Sequence, residues 1–209
     1  FFVGAAGFAP QAVFRREVTS ARDIVDAKLS TRGRSLLMVN DRSEADSHPL
    51  ATVATLDAAL TGIGRKMRLD RDVLMLYLTS HGSPGVFSIT APGLVTGDLT
   101  PTDLRQMLDR SGIRNRIVVV SACYSGSFIE ALEDPNTLIM TAARSDRTSF
   151  GCSDENDWTY FGDAFFNHAL RETTDPIEAF AKAKAHILQW EAEKGLTHSE
   201  PQIVVGEAI

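Results

Sequence analysis

Only two cysteines occur in the 209 residues, Cys123 and Cys152, so no disulfide framework holds this chain together. Their separation, 152 − 123 = 29 residues, matches no zinc-ligand spacing. Long apolar runs are missing too. Nothing approaches the roughly 18 residues a membrane-spanning helix requires, so no spanning segment is expected within these residues. Positive charge is in deficit: 21 Lys and Arg against 27 Asp and Glu leave a net charge of −6. The basic groups Arg15-Arg16 and Arg32-x-Arg34 are too short to track a phosphate backbone, which argues against nucleic acid as a partner. Repeats and low-complexity tracts are absent. With 44% hydrophobic and 23% charged residues, the composition is that of a globular protein, which excludes disordered and fibrous classes.

What is present is an alternation of short β-rich runs with longer amphipathic stretches, the pattern of a mostly parallel sheet covered by helices. Residues 1–5, 36–39, 73–78, 117–120, 138–140 and 203–205 read as six strands. Helical spacing marks 13–30, 50–67, a short helix capped by Thr100 with Pro101 at its first position, 127–132, 159–171 and 176–194. The segment 41–49 reads as a polar loop, and 82–100 as a Gly/Pro-rich loop with a small hairpin at 86–89. No linker interrupts the series, so the expectation is a single domain over 1–209 with three layers. The opening FFVGAAGFAPQA ends in small residues as a signal peptide does, but lacks a basic region and a starting Met. It reads as a buried strand and a Gly-rich turn. Because the chain starts at that strand, an upstream leader or anchor is expected to have been removed, with export favoured over a cytoplasmic location.

In open α/β sheets, ligands bind beyond the carboxyl ends of the strands. Two such ends carry reactive side chains here. The third strand runs LMLYLTSHGS, placing His81 and Gly82 past its end, and the fourth runs IVVVSACYSGS, placing Cys123 in the same position. If the two strands are neighbours, a thiol nucleophile and an imidazole share one crevice. The thiolate attacks a carbonyl carbon and the imidazole carries protons. The backbone N–H groups of Gly82 and Cys123 form a candidate oxyanion hole. The turn at Ser125–Ser127 is expected to aim N–H dipoles at the sulfur. Singly, a histidine is more often an ordinary loop residue and a free cysteine a buried apolar one; the pairing of both at strand ends changes that balance. Cys152 lies away from any strand end and reads as structural. His48, His168, His186 and His198 have no evident chemical partner. A dinucleotide loop at Gly4–Gly7 fails on spacing and on Pro10, and Ser125 lacks the Gly-x-Ser-x-Gly setting of a serine hydrolase.

These residues also resemble a known family. TSHGS at 79–83 and SACYSGS at 121–127 are similar to the motifs of legumain-type cysteine peptidases, relatives of the caspases within one structural clan. The 123 − 81 = 42-residue spacing and the Ala-Cys-x-Ser-Gly pattern fit that branch better than the caspase signature. TAARSDRTSFGCSDENDWTYFGDAF at 141–165 resembles the segment after the nucleophile, and Gly7 to Arg15 the first strand and loop. The resemblance implies a bare, prokaryotic-type member: a caspase-like three-layer α/β/α sandwich with a mostly parallel six-stranded sheet. It implies hydrolysis of a peptide or protein substrate without a cofactor. Cys123 would be the nucleophile and His81 the acid/base. Arg15, Ser121, Ser149 and Asp163 would line a pocket for the residue before the cut, with Asn or Asp preferred over Arg or Lys. Two departures stand out. Val13 replaces an Asn that orients the histidine, so His81 needs another orienter. Ser121 replaces an acidic pocket residue. A catalytically silent peptide-binding scaffold, or a transpeptidase using the same nucleophile, remains the alternative; the oligomeric state is open.

Overall fold

A computed structural model describes residues 1–209, apart from the side chains of Val95 and Thr96. In chain order, β1 (Phe2–Ala6), α1 (Ala12–Lys28) and β2 (Ser35–Val39) lead to α2 (Val53–Gly64) and β3 (Val73–Thr79). Three short strands follow: β4 (Gly82–Ser83), β5 (Val86–Ala91) and β6 (Val95–Leu99). Then come α3 (Pro101–Ser111), β7 (Asn115–Ser121), a tight turn (Ser125–Phe128), α4 (Ile129–Leu132) and β8 (Thr137–Thr141). The chain ends with α5 (Tyr160–Gly162), a wide π-helical stretch (Asp163–Ala169), α6 (Leu170–Glu172), α7 (Pro176–Glu193) and β9 (Gln202–Val205).

The main sheet has the order β2-β1-β3-β7-β8-β9, parallel throughout except for β9, which runs antiparallel to β8. This is the six-stranded, helix-covered sheet the strand pattern predicted. Alternation within each strand divides the core in two. On one side Phe2, Tyr77, Val119 and Met140 pack with Phe14 and Val18 of α1, Phe165 and Phe180. On the other, Val3, Leu76 and Val120 pack with Leu60 of α2, Leu104 of α3 and Phe128. Strands buried on both faces are continuous apolar runs because neither face meets water.

Two boundaries differ from the sequence reading, each for a local reason. The helix expected from 50 begins at Val53, because Thr52 and Thr55 form a reciprocal cap in which each hydroxyl accepts the other residue's backbone N–H. The stretch 82–100 is a three-stranded antiparallel sheet, not a loop with a small hairpin. Phe87, Ile89 and Ala91 point inward in alternation, and Gly85 and Gly93 make the turns at φ of 73° and 75°. As expected, Thr100 caps α3 and Pro101 opens it.

The small sheet is stitched to the reactive edge of the large one. Thr90 exchanges backbone hydrogen bonds with the β1 exit, its N–H donating to Gly7 at 2.7 Å and its carbonyl accepting from Ala9 at 2.8 Å. The Ser88 N–H donates to the carbonyl of His81 at 3.0 Å.

Candidate functional site

β3 and β7 lie side by side at the centre of the sheet, with Thr79 opposite Ser121 in register. The ladder runs one step further, the Ser80 N–H donating to the Ser121 carbonyl at 3.2 Å. His81 stands two residues past Thr79 and Cys123 two past Ser121, so both leave the sheet at matched positions on neighbouring strands. Gly82 fits against this corner: a β-carbon there would overlap the carbonyl oxygen of Cys123 and lie 3.0 Å from the Ala122 β-carbon. Gly82→Ala is therefore expected to cost about 1–3 kcal/mol of stability by overpacking, read as a lower denaturation midpoint. A midpoint equal to the parent's would mean that the two strand ends are not so closely apposed.

The His81 ring is half-buried between Phe8 and Phe14, meeting both edge-to-face at centroid distances of 4.6 and 5.2 Å. Burial pushes its pKa below the usual histidine value, so the neutral base persists to lower pH than in a free histidine. Its Nε2 is in hydrogen-bond contact with Oε1 of Gln11, the residue preceding α1.

Cys123 is held by the residue the resemblance put on the pocket wall. The Ser149 N–H donates to Cys123 Sγ at 3.3 Å, and the Ser149 carbonyl and hydroxyl lie 3.6 and 3.7 Å from the sulfur. The expected fan of amides from the following turn is otherwise engaged. The N–H groups of Tyr124, Gly126 and Ser127 donate to the carbonyls of Arg147, Ala143 and Tyr124. They shape the turn and are not aimed at the thiol. Cys152 packs partly buried against the core, and burial pushes its thiol up to about 12, a poor nucleophile.

Beneath the corner lies a polar cluster that sequence reasoning missed. Glu17 of α1 is fully buried and accepts from Tyr77 Oη at 2.7 Å, Thr79 Oγ1, and Thr159 through its N–H at 2.8 Å and its hydroxyl at 2.9 Å. The Ser121 hydroxyl lies 3.4 Å from that of Thr159, so it adjoins the same cluster. Burial raises the Glu17 carboxyl above the ordinary range, against the opposing hydrogen bonds of Thr79, Tyr77 and Thr159.

Arg15 and Asp163 are not paired with each other. Arg15 binds Asp41 at 2.8 Å and Glu44 at 3.5 Å. Asp163 accepts from Asn167 Nδ2 at 2.8 Å and lies 3.6 Å from His168. They line two separate depressions that share Trp158 as a wall. Among the described residues, no group of three or more His, Cys, Asp or Glu side chains is arranged to hold a metal ion. Among the same described residues, no helix is long and apolar enough to cross a membrane.

Residues 57–209, well over half of the chain and including the His81 and Cys123 motifs, match the model of the peptidase C13 family. The chain belongs to that family. Legumain of Mus musculus is 34% identical over 118 residues, 56% of this chain and 26% of that protein. Legumain of Homo sapiens is 34% identical over 133 residues, 61% of this chain and 30% of that protein. Legumain of Bos taurus is 30% identical over 157 residues, 71% of this chain and 36% of that protein. The chain thus spans about a quarter to a third of the length of these relatives. In fold it is similar to caspase-1 from Spodoptera frugiperda, with a TM-score of 0.65 over 99% of this chain and 86% of that one. At 14% identity that likeness concerns the fold alone: the caspase-like sandwich is the architecture here.

Gln11 and Glu17 escaped the sequence reading for different reasons. Gln11 sits in a Pro-Gln-Ala context that reads as a simple helix entry. Glu17 lies one turn past Val13 and Phe14, on the face that α1 turns to the sheet, so its position was the only available signal.

Proposed function

We propose that this chain is an active cysteine endopeptidase working through Cys123 and His81, with preference for Asn or Asp before the scissile bond. The observation that carries this reading is the departure of both side chains from matched ends of adjacent strands, in a member of a cysteine peptidase family. The Cys123 sulfur attacks the peptide carbonyl carbon and forms an acyl-enzyme. His81 takes up the thiol proton and delivers it to the leaving amine, and water then releases the acyl group. The N–H groups of Gly82 and Cys123 receive the oxyanion. Arg15, bracketed by Asp41 and Glu44, offers donors and acceptors together, which suits a carboxamide better than a cationic side chain. Asp163 is occupied by Asn167, which weakens the case for Arg or Lys.

The test is cleavage of fluorogenic peptides carrying Asn, Asp, Arg, Lys or Ala before the scissile bond, from about pH 4 to pH 8. The parent is expected to turn over the Asn or Asp peptide and Cys123→Ala none. Because burial lowers the pKa of His81, the acid limb of kcat/KM should lie below the ordinary histidine value of about 6.5. Turnover by Cys123→Ala would remove the mechanism, whereas a parent inert on every peptide would favour a binding scaffold. Capture of the acyl group by an added amine in preference to water would make the chain a transpeptidase.

A further inference from the structure

The base of such a dyad needs one tautomer and one orientation, and the histidine's own strand supplies neither. On its own strand side, His81 contributes its carbonyl to Ser88. Phe8 and Phe14 fix the plane of the ring but cannot choose which nitrogen carries the proton. Gln11 can. With its carbonyl oxygen facing Nε2, the ring holds its proton there and keeps the Nδ1 lone pair free to accept another.

Gln11 is at the same time the residue that opens α1, with extended angles of φ −126° and ψ 116°, and its side chain makes no capping bond to its own helix. Helix-opening residues are normally short oxygen-bearing side chains that satisfy the first free N–H groups. Here another segment takes over that duty. Asp154 Oδ1 accepts the N–H of Ala12, the first residue of α1, at 2.7 Å. The Asp154 segment is pinned by Arg16 Nη2, which donates to the carbonyls of Asp154 at 2.6 Å and Asn156 at 2.5 Å. Five residues before Asp154, the same segment carries Ser149 on the Cys123 sulfur.

We propose that Gln11 is the positioning residue of His81, and that Asp154 frees it for that role by capping α1 in its place. One loop, 149–157, then organises both members of the dyad: the nucleophile directly through Ser149, and the base indirectly through the helix start. Gln11 acts through His81 and touches no reacting atom. The proposal rests on the peptidase reading only for its kinetic consequence.

The decisive experiment is nitrogen-15 NMR of the His81 ring in Cys123→Ala, a background in which turnover plays no part. The expected parent spectrum shows a neutral ring protonated at Nε2, and Gln11→Met, which keeps the length but removes the acceptor, gives a mixture of tautomers. Gln11→Glu, which keeps the acceptor and adds a charge, should restore the Nε2 tautomer and raise the pH at which the ring titrates. In the thiol-bearing protein, Gln11→Met should lower kcat by about 10- to 100-fold with little change in KM. Gln11→Glu should recover most of that loss, with the acid limb displaced to higher pH. Asp154→Ala should reproduce part of the tautomer mixing, whereas Asp154→Asn, which keeps an acceptor oxygen, should not. A ring protonated at Nδ1 in the parent, or one whose tautomer ignores Gln11→Met, overturns the proposal whatever the peptides show. A parent without turnover but with these ring spectra would overturn the peptidase reading and leave the positioning role standing.

Discussion

His81→Ala is expected to lower kcat/KM on the best peptide by about 10²- to 10⁴-fold, the usual contribution of a positioned acid/base. The loss should fall on kcat, because in the proposed mechanism His81 acts on protons in flight and has no binding role. Removing the ring also removes two edge-to-face contacts, with Phe8 and Phe14, each worth about 0.5–1.5 kcal/mol. The denaturation midpoint should drop modestly while the fold survives. Stopped assays with added imidazole separate the two effects: a small base diffusing into the vacated space should restore a fraction of turnover, which a collapsed site could not show. Parent-like rates in His81→Ala would mean that some other group carries the proton.

Glu17→Ala is expected to be the most destabilising single substitution near the site, at about 3–5 kcal/mol. Four donors, from Tyr77, Thr79 and the backbone and hydroxyl of Thr159, converge on its carboxyl in a fully buried setting. Deleting it strands them in a cavity, and each unsatisfied buried group costs about 1–3 kcal/mol. The pH dependence has a definite sign. Since burial raises the carboxyl above its ordinary value of 4.5, the folded chain holds that proton more tightly than the unfolded one. The associated stability is complete below the ordinary value and is lost as pH rises through the raised one. Relative to Glu17→Gln, the parent should lose stability between acid and neutral pH in urea titrations. Parallel stability curves for the two would mean that the Glu17 carboxyl titrates alike in the folded and unfolded chains, so that burial does not raise it.

The contrast between Glu17 and the dyad shows what a sequence can and cannot display. The sheet was legible because runs such as VLMLYL and IVVV are short, β-branched or aliphatic and apolar without interruption, as strands buried on both faces require. The small sheet at 82–99 was under-read, although VFSITA alternates cleanly and Pro-Gly pairs flank it. Its strands are short, and the glycines on either side carry the signature of a loop. His81 and Cys123 stood out because each follows a strand and is set among small residues. Their partners did not. Gln11 and Asp154 are separated by 154 − 11 = 143 residues, and what they do depends on a loop lying across a helix start, which no local pattern encodes. Ser149 was flagged as a pocket wall on resemblance, yet here its backbone touches the sulfur itself. Val13, which left the histidine without its usual partner on paper, points into the core, and the amide two residues earlier faces the ring.

The central placement of β3 and β7 has a further consequence for how the molecule breathes. Both reactive ends belong to strands with hydrogen-bonded neighbours on each flank, whereas β2 and β9 form the rims. Rims fray first, in excursions that leave the middle of a sheet paired. The amides of Leu76 to Leu78 and Val118 to Val120 should therefore trade their protons for deuterium only when the whole chain opens, while those of β9 do so through small, frequent detachments. The geometry of the reactive corner is thus shielded from the commonest fluctuations of the fold, and its lifetime is that of the protein as a whole.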